Sequence, residues 1–141
     1  MTTKPKKYQL SIPSNTKFLK QVESLSVQVA RDMRLNESDS DDLAIAVTEL
    51  VNNAIHHGNQ ENMDKQVTII FNISSNRIEI RIKDEGSGFN PNNLNDPLAP
   101  ENILKESGRG IFLIRQLMDS VDFNFTKQGT EVIATKKLSS S

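Results

Sequence analysis

Glu49 and Asn53 stand four residues apart in the run ELVNNAIHHG. On a helix that spacing brings two side chains to one face with Cβ atoms roughly 5–6 Å apart. An amide oxygen suits a hard cation such as Mg²⁺, which prefers oxygen ligands and keeps waters and substrate phosphates. A carboxylate beside it can accept a proton from an attacking hydroxyl. The same residues equally suit the wet side of an amphipathic helix, and the spacing alone leaves both readings open. His56 and His57 are adjacent and diverge by about 100° on a helix, so they do not converge on one metal, and no HExxH pattern accompanies them.

Two glycine-bearing segments follow. Asp84-Glu85-Gly86-Ser87-Gly88-Phe89 comes directly after an apolar alternating run. The Asp84 carboxylate therefore emerges at a strand's end, where it can accept from an adenine amino group, while Gly86 and Gly88 let a flat ligand approach the backbone. An aspartate-capped glycine turn is the bland alternative. Ser107-Gly108-Arg109-Gly110 opens a run with helical spacing; unpaired N–H groups and the positive end of the helix dipole make such a start an anion site suited to phosphates. Glycine used only for tight packing explains it as well, with Lys105 and Arg109 as solvated charges. Thr130 after Gly129 also suits an ordinary strand. There is no GxxxxGK-S/T, no complete GxGxxG, and no HRD or DFG.

The elements that must hold these residues are readable from periodicity. Residues 8–12 alternate as a strand ending at Pro13, after which Ser14 or Asn15 caps a helix. Phe18, Val22, Leu25, Val29 and Met33 mark its buried face as far as about Leu35. The acidic NESDSDD reads as a turn leading into a second helix near Asp41, with Leu43, Val47, Leu50, Val51 and Ala54 facing inward and Gly58 as its stop. Alternation at 67–73 and 78–82 around Ser-Ser-Asn predicts a hairpin. Residues 90–107 form a long loop of the kind that serves as a lid. Ile111, Ile114, Leu117, Met118 and Val121 give a third helix directly after Gly110, and strands at 122–127 and 130–137 join through a turn containing Gly129. This order predicts an α/β (α+β) two-layer sandwich: a mostly antiparallel mixed sheet with helices on one face.

At 141 residues and net charge −1 the chain is expected to be one domain, with tails at 1–6 and 138–141. The balanced charge and the single tyrosine argue against direct nucleic-acid binding, and the lack of cysteine excludes thiol chemistry and disulfides. With no apolar run of bilayer length and no secretory leader, a cytoplasmic protein without membrane contact is expected.

Taken together, ELVNNAIHHG, DEGSGF, SGRGIFLI and GTEV resemble, in order and spacing, the N, G1, G2 and G3 boxes of the GHKL ATPase superfamily. The short domain and brief lid look most like its anti-sigma factor serine/threonine kinases of the RsbW and SpoIIAB type. The resemblance implies the Bergerat fold of histidine kinase-like ATPases, with ATP and Mg²⁺ as cofactors. In it Asn53 binds the metal, Glu49 is the general base, Asp84 reads adenine, and Gly86, Gly88, Gly108 and Gly110 shape pocket and lid. Ser107, Arg109, Lys105 and Thr130 complete the nucleotide contacts. It further implies a homodimer that sequesters a sigma factor and phosphorylates a serine of an anti-anti-sigma partner of the STAS fold. Glu106 stands before Ser107 where some members carry an arginine; Lys105 or Arg109 would supply that charge.

Two alternatives are weighed beside this kinase. One is a module in which ATP only orders the lid and gates partner binding without turnover. The other is the ATPase domain of a two-component histidine kinase, disfavoured because no helical phosphoacceptor domain precedes residue 1 and both histidines lie in the helix of Asn53.

Overall fold

The computed structural model describes residues 6–86 and 108–138. The expected lid at 90–107 lies outside the described residues, as do Gly88, Lys105, Glu106 and Ser107. Five strands, β1 (Lys6–Pro13), β2 (Gln66–Ser74), β3 (Arg77–Lys83), β4 (Ser120–Thr126) and β5 (Gly129–Lys137), form one sheet in the order β1-β2-β3-β5-β4. Every neighbouring pair is antiparallel. Among the described residues three α-helices accompany it: α1 (Leu19–Asp32), preceded by a 3-10 turn at Thr16–Phe18, α2 (Glu37–Asn53) and α3 (Gly108–Leu117).

The period-two pattern decides which face is covered. Ile69, Phe71 and Ile73 pair across β2 and β3 with Ile82, Ile80 and Ile78, and all six are buried. Val22 and Val29 of α1, and Leu43, Val47, Leu50 and Val51 of α2, join them in one core. On the opposite face of β3 and β5, Arg81 bonds Glu79 at 2.6 Å and Glu131 at 3.4 Å, a polar surface of the kind an antiparallel sheet can present to water.

The second helix begins at Glu37, not near Asp41. Asn36 is extended, and its Oδ1 accepts from Asp39 N at 2.7 Å. Glu37 and Asp39 then lie in the first turn, where the helix dipole favours acid. The segment that reads as an acidic turn is therefore a capped helix start. Nor does Gly58 simply stop this helix: the chain continues from α2 into a turn of π-helix, Ala54–Gly58, closed by Asn59 N donating to Ala54 O at 2.8 Å. Gly129 is the first residue of β5, paired with Thr126, and the turn itself is Lys127-Gln128. Lys6 and Leu138, expected in the tails, are both tied to the sheet: Lys6 pairs with Ile73 and Leu138 N donates to Asn76 O at 2.7 Å.

Lys136 fixes how the two later helices run. Its Nζ donates to Leu117 O at 3.0 Å, the C-terminal end of α3, and lies 3.3 Å from Asp42 and 3.8 Å from Asp39 at the N-terminal end of α2. The helices pack together, so with those ends joined they are antiparallel. Being about 15 Å long, α3 (Gly108–Leu117) carries its N-terminal glycines toward the end of the sheet where α2 finishes. Lys136→Met should lower stability by about 2 kcal/mol in urea unfolding, less than the roughly 3–5 kcal/mol of a fully buried pair, because Asp42 remains 25% exposed.

Candidate functional site

At that end of the sheet a cleft lies between α2 with its π-turn and the strands. Leu50, Asn53, Ala54, His57 and Gly58 form one wall, and Ile82, Asp84, Phe123, Thr130 and Val132 the other. Its volume is about 30 Å³. A broader polar groove of about 590 Å³, lined by Lys83, Glu85, Asn124, Gln128 and others, shares Asp84 and Thr130 with it.

Asp84 sits one residue beyond β3, where the ladder ends. Its backbone N–H donates to Thr130 O at 3.0 Å, and its Oδ1 accepts from the N–H groups of Thr130 and Gly86, each at 3.0 Å. Oδ2 has no hydrogen-bond partner among the described residues and faces Gly58. Burial pushes the Asp84 carboxyl above its ordinary value of 3.8, against the opposing pull of the two backbone donors and the Lys65 charge.

Two glycines make this placement possible. A Cβ on Gly58 would overlap Asp84 Oδ2 and Cγ. Gly129 has φ +148°, a conformation that side chains rarely adopt, and a Cβ there would strike Asp84 O. Neither glycine belongs to the sequence-derived set of site residues. A signal for both exists: the chain holds only six glycines, and the four outside these two positions are Gly86, Gly88, Gly108 and Gly110.

Asn53 lies in the same cleft, and its Nδ2 is buried with no hydrogen-bond partner among the described residues. An amide left so costs about 1–3 kcal/mol, and a half-turn about χ2 would present its oxygen in place of the nitrogen. Glu49 is half-buried on α2 and is not among the cleft-lining residues. His56 turns away and pairs with Glu61 at 2.9 Å, whereas His57 lines the cleft, a role that sequence reasoning missed. The structure thus brings together Asn53, Asp84, Gly86 and Thr130. The backbone of Gly108, Arg109 and Gly110 forms the first turn of α3. Among the described residues no cluster of three or more His, Asp or Glu is arranged to hold a metal.

The sequence matches the histidine kinase-like ATPase domain family over residues 12–136. It is 30% identical over 136 residues to the serine-protein kinase RsbW of Bacillus cereus strain AH820, covering 92% of this chain and 84% of that protein. The RsbW of Bacillus mycoides strain KBAB4 is also 30% identical, over 96% of this chain and 88% of that protein. Among solved structures, the RsbU and RsbW domains of a Mycobacterium tuberculosis protein superpose with TM-score 0.72 at 14% identity, covering 96% of this chain and 33% of that one. The histidine kinase domain of a blue-light-activated kinase from Erythrobacter litoralis gives TM-score 0.56 at 17% identity, covering 90% and 62%. At such identities the structures speak for the fold.

Two measurements probe the cleft. Because the folded state binds the Asp84 proton more tightly than the unfolded chain, the stability linked to that proton is present below the ordinary carboxylate pKa and is lost as pH rises through the raised value. Asp84→Asn, which keeps an oxygen for both backbone donors, should therefore melt above the wild type at neutral pH. The gap should narrow on acidification, as melting temperature against pH will read. Gly58→Ala should destabilise by about 1–3 kcal/mol in urea unfolding through overpacking against the carboxylate.

Proposed function

Because this chain belongs to the histidine kinase-like ATPase domain family, we infer that it binds ATP in the cleft between α2 and the sheet and passes the γ-phosphoryl group to a serine of a protein partner. The observation that carries this reading is the convergence of an unpaired buried Asn53 amide and an Asp84 carboxylate oxygen in one cleft.

Asp84 Oδ2 would accept from the exocyclic amino group of adenine, a group that guanine lacks at that position. The ring would lie against Leu50, Ile82 and Val132. The partly exposed Phe123 is a wall of the cleft able to yield as the ring enters. The N-terminal turn of α3 offers free N–H groups and dipole to the phosphates, supplemented by Ser107, Lys105 and Arg109. Asn53 Oδ1 would hold Mg²⁺, which when bound neutralises phosphate charge; a hard ion sharing substrate oxygens and waters needs few protein ligands.

For transfer, Glu49 takes the proton of the attacking serine hydroxyl. The serine oxygen bonds to the γ-phosphorus as the bond to the β–γ bridging oxygen breaks, and ADP leaves with that electron pair. The RsbW relatives are named serine-protein kinases, which supports transfer to a serine; the setting proposed with it is an anti-sigma switch that, as a cytoplasmic homodimer, sequesters a sigma factor and phosphorylates a STAS-fold anti-anti-sigma protein. Among the described residues no helix is long and apolar enough to cross a membrane.

Labelled ATP, Mg²⁺ and a STAS protein encoded nearby provide the test. Wild type should label that partner on serine. Glu49→Gln should bind ADP within about threefold of wild type while transfer falls by 10²-fold or more, the range of a positioned base. Transfer at the wild-type rate in folded Glu49→Gln would remove the base assignment. Because Glu49 does not line the cleft, a second reading stands beside the first: ATP gates partner binding without turnover. Nucleotide-dependent partner binding with no phosphoprotein by mass spectrometry selects it.

A further inference from the structure

We propose that Asn59 is a positioning residue for nucleotide recognition, fixing the Asp84–Gly86 turn to the π-turn that follows Asn53; the proposal rests on the adenine-nucleotide reading of the cleft. Asn59 is only 2% exposed. Its Oδ1 accepts from Glu85 N at 2.7 Å, and its Nδ2 donates to Ser14 Oγ at 2.8 Å and to Gln66 O at 2.9 Å. Ser14 Oγ in turn donates to Lys65 O at 2.7 Å, and the Glu85 carboxylate accepts from Gln66 N. One buried amide thereby joins the end of β1, the start of β2 and the segment after β3.

The consequence for the site follows from where Glu85 and Asn59 stand. Glu85 lies between Asp84 and Gly86, whose N–H holds Asp84 Oδ1. Asn59 follows Gly58, against which Asp84 Oδ2 rests, and its own N–H closes the π-turn on Ala54 O. Both sides of the Asp84 carboxylate are thus referred to one residue, the Glu85 side through its amide oxygen and the Gly58 side through its backbone N–H. The oxygen left for the base is aimed by Asn59, which does not itself line the cleft. A buried polar group with this many satisfied bonds fixes geometry more sharply than an apolar contact of the same size, because its bonds are directional.

ADP and GDP titrated by calorimetry into the full chain with Mg²⁺ test this. Asn59→Ala removes the acceptor for Glu85 N; ADP affinity should fall about tenfold, the size of one lost buried hydrogen bond, and the preference for ADP over GDP should narrow. Asn59→Asp keeps that acceptor but loses both donors. It should melt below wild type yet hold ADP within about threefold. Wild-type affinity and selectivity in both folded variants would overturn the proposal and leave Asn59 a structural residue. Should Asn59→Ala not fold, Ser14→Ala reads the same network: ADP binding weakened about threefold or more supports the proposal, and unchanged binding overturns it. If wild type binds neither nucleotide, the nucleotide reading fails instead. Hydrogen exchange at the Glu85 amide then decides: about tenfold faster in Asn59→Ala than in wild type if Asn59 holds the turn, and unchanged if it does not.

Discussion

The cleft depends on a carboxylate kept where carboxylates are poorly solvated. Asp84 is buried enough that its proton is held more tightly than in water, and only one of its two oxygens is engaged by backbone donors. That arrangement sacrifices stability at neutral pH and preserves an acceptor in an apolar slot, where a hydrogen bond discriminates more strongly than it would at the surface. Gly58 and Gly129 exist at their positions because the carboxylate and its backbone occupy the space a side chain would need. The π-turn serves the same end, since it delivers Gly58 and His57 to the cleft after the regular part of α2 has finished. Such turns are rare and concentrate at functional sites.

The sheet and the helices supply the coordinate frame. Antiparallel pairing of β3 with β5 places Lys83 opposite Glu131, so the chain just beyond β3 meets the first residues of β5. Asp84 and Thr130 therefore bond through backbone and side chain alike. At the far end Lys136 joins the start of α2 to the finish of α3. With those ends pinned, the end of α2 and the beginning of α3 are directed to the same rim, where an amide and a positive helix terminus can act on one ligand.

Periodicity carried most of the fold because the core face is uninterrupted: Ile69, Phe71 and Ile73 of β2 and Ile78, Ile80 and Ile82 of β3 alternate, with only Ile70 adding an apolar residue on the other face, and the apolar stripe of α2 is buried as its spacing requires. It failed at Asn36, where a polar, acidic stretch is helical. The capping bond and the dipole favour that stretch as a helix start, whereas hydrophobic patterning begins only at Leu43. Asn53, Asp84 and Gly86, singled out by motif order, do come together at one end of the sheet. Gly58 and Gly129 were marked only by the scarcity of glycine in the chain, and the reason for them was hidden because it is space left for a residue distant in sequence. Asn59 was hidden for a similar reason, since its partners Ser14, Gln66 and Glu85 are gathered only by the sheet.

The positions of Glu49 and Asn53 on α2 separate binding from transfer. Successive residues turn by about 100°, so Asn53 lies about 60° around the helix from Leu50 and Glu49 about 100° in the same direction. Leu50 lines the apolar slot, Asn53 reaches it, and Glu49 stands further toward its margin. A purine in the slot would thus leave its phosphates near Asn53, while the half-buried Glu49 carboxylate remains outside the base pocket. On the proposed reading, nucleotide binding would not depend on Glu49, and transfer would depend on how a partner is seated against that side of α2. On that same reading, loss of transfer chemistry would then carry no loss of nucleotide recognition.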